Sequence, residues 1–71
     1  MKPSVPNPDP RFHVANVSKM FDDLIAHLRD DTRQFDEPKA QAMFETSAEV
    51  LEGLKTAFSH YQSGAEAAMR R

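Results

Sequence analysis

Between Val14 and Phe35 the apolar positions keep helical time. Val14, Val17, Phe21, Leu24 and Leu28 follow one another at alternating intervals of three and four, and Phe35 returns seven residues later. That spacing winds them onto one side of a helix, with Met20 and Ile25 widening the stripe on its two flanks. Lys19, Asp22, Asp23, Arg29, Asp30 and Arg33 fill the other side. A second run begins after Pro38. Phe44, Leu51, Phe58 and Ala65 share one heptad position, and Ala40, Ser47, Leu54, Tyr61 and Ala68 share another. Met43, Val50 and Ala57 thicken that second stripe. The pattern predicts two amphipathic helices over residues 10–34 and 38–62, each of about 25 residues and roughly 37 Å.

Local signals place the ends. Asp9-Pro10 has the form of an N-cap followed by proline at the first helical position, with Asn16 as a later possible start. Pro38 disfavours helical geometry at Glu37, so the first helix stops before it, and Asp36 is the expected cap of the second. Gly64 supplies a residue able to end the second helix at positive φ, and Ser63-Gly-Ala-Glu66 has the form of a new capping box. A connection this short makes the helices antiparallel neighbours. The expected fold class is all-α, an antiparallel two-helix hairpin. Residues 1–9 form a flexible proline-rich arm, 10–63 the hairpin, and 64–71 a short C-terminal turn or tail. Four of the five prolines fall in that arm and its junction, which favours extended backbone there.

Both stripes are three heptad positions wide, more than one partner helix covers. The expectation is a homo-oligomer, with a dimer as first choice: two hairpins paired by a twofold into a four-helix bundle. The side chains assigned to its interface are Phe21, Leu24, Ile25, Leu28, Met43, Phe44, Val50, Leu51, Leu54 and Phe58. Phe12, Met20, Ile25 and Val50 are expected nearest any surface left for a further protein partner. Ser47, a polar interruption within the stripe, is expected to bond back to a carbonyl one turn earlier.

Composition narrows the classes of function. In 71 residues there is no cysteine, which excludes disulfides, thiolate zinc sites, iron–sulfur clusters and thiol nucleophiles. That usage fits a reducing, cytoplasmic setting. Nine basic against eleven acidic residues give a net charge of −2, without the clustered basic surplus of a nucleic-acid binder. The apolar runs are too short for a membrane span. No Gly-x-Ser-x-Gly elbow surrounds any serine and no glycine-rich phosphate loop is present, so neither an enzyme nor a bound cofactor is expected.

One constellation bears on metal chemistry. Asp23, His27 and Asp31 are spaced four and four along the first helix, and two carboxylates with an imidazole suit a divalent ion. The simpler alternative is mutual neutralisation, or a pairing of Asp31 with Lys39. Glu45, Glu49 and Glu52 also line one helix face, away from the apolar stripe, as a solvated acidic surface. The sequence therefore reads as a small non-enzymatic protein acting through self-association and protein–protein contacts. The alternative is a metal- or small-ligand-binding bundle using the Asp23, His27 and Asp31 face.

Overall fold

The computed structural model describes residues 6–69, with side chains described as far as Gly64. It is an all-α hairpin of helix α1 (Pro10–Thr32) packed antiparallel against helix α2 (Pro38–Met69). The first five residues of the expected arm and the last two of the tail lie outside the described residues, as do the side chains of Ala65 and Ala68.

α1 starts where its sequence signals start it. Asp9 is extended at φ −82° and ψ 112°, and its carboxylate accepts from the Arg11 N–H at 2.9 Å, with Pro10 in the first turn. Asn7 ties the preceding chain down: its side-chain oxygen accepts from the Asp9 N–H at 2.8 Å, and its carbonyl lies 2.7 Å from His13 Nε2. The chain from Asn7 onward is thus anchored on the first turn. The Arg11 guanidinium, bonded to Asp9 at 2.8 Å, and the Arg11 N–H hold the Asp9 carboxyl below its ordinary range.

This cap makes the start of α1 sensitive to acid. The stabilisation is present above pH 3.8, the carboxyl's ordinary value, and is lost as pH falls below that through the lowered folded value. Amide protection at Arg11 and Phe12, taken relative to the intrinsic exchange rate at each pH, is expected to fall below pH 3.8, beyond any change at Phe44 in the other helix. An equal loss of protection at both sites would show that Asp9 does not hold this end.

At the tip, α1 stops two residues before the expected Gln34. Thr32 Oγ1 bonds back to the Leu28 carbonyl at 2.8 Å, and the Arg33 and Gln34 amides close on Asp30 and Asp31. Glu37, not Asp36, immediately precedes α2, and its carbonyl accepts from the Gln41 N–H at 3.0 Å. Pro38 at the first helical position needs no amide partner of its own. The Gln41 side chain crosses back to the Phe35 carbonyl at 2.7 Å and fastens the turn.

The expected stop at Gly64 does not occur. α2 continues to Met69, and neither Gly53 nor Gly64 takes positive φ. A mid-helix glycine costs about 1 kcal/mol relative to alanine, which the strong helix formers after it (Ala65, Glu66, Ala67 and Ala68) can carry. α2 is therefore 32 residues against 23 for α1, and the two helices are not equal in length.

Two edge-to-face ring pairs set the register. Phe21 meets Phe58 and Phe35 meets Phe44, each with centroids 5.2 Å apart. Residues whose numbers add to about 79 therefore lie at one level along the hairpin. The seam on α1 runs Val14, Ser18, Phe21, Ile25, Leu28 and Thr32, all buried or half-buried. On α2 it runs Gln41, Phe44, Ala48, Leu51, Lys55 and Phe58.

This seam is rotated from the expected one. Ile25, placed on a flank and nearest a partner surface, is the best-buried large side chain at 5% exposure, whereas Leu24 is 46% exposed. Ala48 is the most enclosed residue, at 1% exposure. Two exposed ion pairs accompany this rotation. Lys55 Nζ meets Asp22 at 2.5 Å and Arg29 meets Glu52 at 3.8 Å, both across one edge of the seam, with Leu24 on the other. The hydrogen bond that Lys55 donates to Asp22, and that carboxylate's charge, hold the Lys55 ammonium above its ordinary range.

Candidate functional site

At about 100° per residue, positions seven apart return to one line along a helix. On the edge of α1 away from the ion pairs that line is Val17, Leu24 and Asp31. On the matching edge of α2 it is Ser47, Leu54 and Tyr61. The levels agree: Val17 with Tyr61, Leu24 with Leu54, Asp31 with Ser47. Between the lines, Leu24, Leu28, Ser47, Val50 and Leu51 line a shallow groove of about 440 Å³. A second hollow of about 290 Å³ continues it past Val14, Phe58 and Tyr61.

The face is apolar and open. Leu24, Val50, Leu54 and Tyr61 are 45–58% exposed, with Met20 and Met43 at its margins near 60%. Among the described residues only Ile25 and Ala48 count as buried. The ten side chains assigned to an oligomer interface accordingly divide. Phe21, Ile25, Leu28, Phe44, Leu51 and Phe58 are spent largely on the hairpin's own seam. Leu24, Met43, Val50 and Leu54 remain outside it. Periodicity could not separate these groups, because the stripe is wider than one seam and the contacts that choose its inner edge join residues far apart in sequence.

The opposite face is polar, carrying both cross-helix ion pairs and a hollow lined by Ala15, Ser18, Lys55, Phe58, Ser59 and Gln62. Gln62 Oε1 is shielded there without a hydrogen bond, a local weak point in the packing.

The possible ligand set is only partly assembled. His27 Nε2 lies 3.0 Å from Asp31 Oδ2, an exposed i,i+4 pair, and Asp31 does not pair with Lys39. Asp23 stands one turn earlier, in solvent. Among the described residues no three histidine or carboxylate side chains are placed to hold a metal ion. Ser47 makes the expected back-bond, to the Met43 carbonyl at 2.8 Å. No described helix is long and apolar enough to cross a membrane.

Fold and surface together define an all-helical hairpin with one closed, ion-paired face and one open apolar face. The chain matches no protein-family model, no curated protein and no solved structure.

Proposed function

We propose that this protein is a non-enzymatic assembly module: two hairpins stack through the open apolar face into a four-helix bundle, and the dimer acts through protein–protein contacts. The observation that carries this reading is the contiguous apolar face on a fold that buries only Ile25 and Ala48 among its described residues. Folded domains ordinarily bury the apolar side of each helix against a second layer, and a lone hairpin has one layer.

Surface area supports the same reading. The chain exposes 5854 Å², against about 4,500 Å² for a compact monomer of 8.0 kDa. The radius of gyration is 15.7 Å, where a compact chain of this length has about 11 Å.

Native mass spectrometry of protein purified without chelator, beside sedimentation at tens of micromolar, tests the proposal. Two chains with no adduct are expected. A monomer at those concentrations overturns it. A stoichiometric metal mass would instead move the function to Asp23, His27 and Asp31.

A further inference from the structure

The reading of self-association leaves open which way the second copy lies. Two face-to-face stackings of a hairpin have twofold symmetry. With the axis along the helices, both tips point the same way and α1 of one copy lies on α2 of the other, level for level. With the axis across the helices, the ends are exchanged and each helix lies on its own copy. Both give antiparallel neighbours, so helix dipoles do not choose between them.

The polarity of the two lines does choose. Each carries its polar member at the tip end, Asp31 on α1 and Ser47 on α2, with apolar members at the middle and base. With tips together, Val17 meets Tyr61, Leu24 meets Leu54, and Asp31 meets Ser47. With ends exchanged, Leu24 and Leu54 meet their own copies, Asp31 falls on Val17, and Ser47 falls on Tyr61. The second arrangement sets the carboxylate against valine, twice by symmetry, so that the oxygen not facing His27 has no partner where water is excluded, which is costly. The first sets it against a hydroxyl whose proton can turn from the Met43 carbonyl to the carboxylate.

The tip ends are also the more acidic, with Asp30, Asp36 and Glu37 nearby, and that repulsion opposes the first arrangement. These charges are exposed, are interspersed with Arg29, Arg33 and Lys39, and are screened over about 8 Å, so the contact at the face is dominant.

We infer that the second copy docks with its tip beside the first copy's tip, α1 on α2, aligned by the Asp31–Ser47 and Val17–Tyr61 contacts. This rests on the self-association proposed above. It is tested on the full chain, which has no native cysteine and so takes a single spin label cleanly at Asp36→Cys on the exposed turn. Sedimentation of the labelled protein is run beside dipolar distance measurement. A dimer with labels within about 30 Å is expected, since layers stack at roughly 10 Å and the label tethers add the rest. A dimer with labels about 40 Å apart or more, roughly the hairpin's length, overturns the orientation and leaves self-association standing. A monomer overturns both.

Discussion

Replacing Ile25 by alanine is expected to lower the thermal midpoint of the chain by about 10–40 °C. Ile25 is the only large side chain among the described residues that the hairpin encloses, at 5% exposure. Truncating such a residue costs about 2–5 kcal/mol through lost burial and the cavity left behind. Small domains have little stability to spare, often about 5 kcal/mol in total. Far-ultraviolet circular dichroism with a thermal melt is the measurement. A midpoint within a few degrees of the parent would mean that the seam is not centred on Ile25.

Leu24, its immediate neighbour, is expected to behave differently when changed to glutamate. Its side chain is 46% exposed on the open face, so the seam should survive. What the change should remove is association. Burying the exposed half of this leucine contributes about 0.7–1.4 kcal/mol per copy, and the twofold counts it twice. Its loss corresponds to a dissociation constant weaker by roughly ten- to a hundredfold, before the cost of the buried charge. Sedimentation across a concentration series measures it, with Asp23→Asn as a control on the solvated side. An unchanged constant for Leu24→Glu would place the interface elsewhere.

Side by side, these substitutions mark what the sequence could and could not disclose. The two helices, the Asp9 cap, proline at both helix starts and the antiparallel turn are written in local spacing. They are decided by residues within a few positions of one another. The rotation of each helix is not. Val17, Leu24, Ile25 and Leu28 all satisfy the same period, and any seam drawn through a stripe that wide is consistent with it. The choice is made by contacts that only the folded hairpin brings together, Phe21 with Phe58 and Phe35 with Phe44 in the seam and Asp22 with Lys55 and Arg29 with Glu52 along its edge.

The end of α2 shows a different limit. Gly64 followed by Ala65 holds a stop signal and a continuation signal together, and the alanines prevail. At the candidate site, the exposed leucines were legible as apolar but not as outward-facing. Asp23, His27 and Asp31 share a helix face by spacing, yet only His27 and Asp31 meet. The crossing of Gln41 to Phe35 had no local cue, since an isolated glutamine at that spacing serves equally well in solvent.

The unlike character of the two faces also limits how large an assembly can grow. A hairpin sticky on both sides would stack indefinitely, each added layer presenting a fresh surface to the next. Here the second side is sealed by Lys55 with Asp22 and Arg29 with Glu52. In the proposed dimer the outer surfaces would carry these ion pairs and the hollow beside Lys55, with no contiguous apolar face to seat a third layer. Growth would then end at its first step, and replacing the ion-paired residues by apolar ones is expected to extend it.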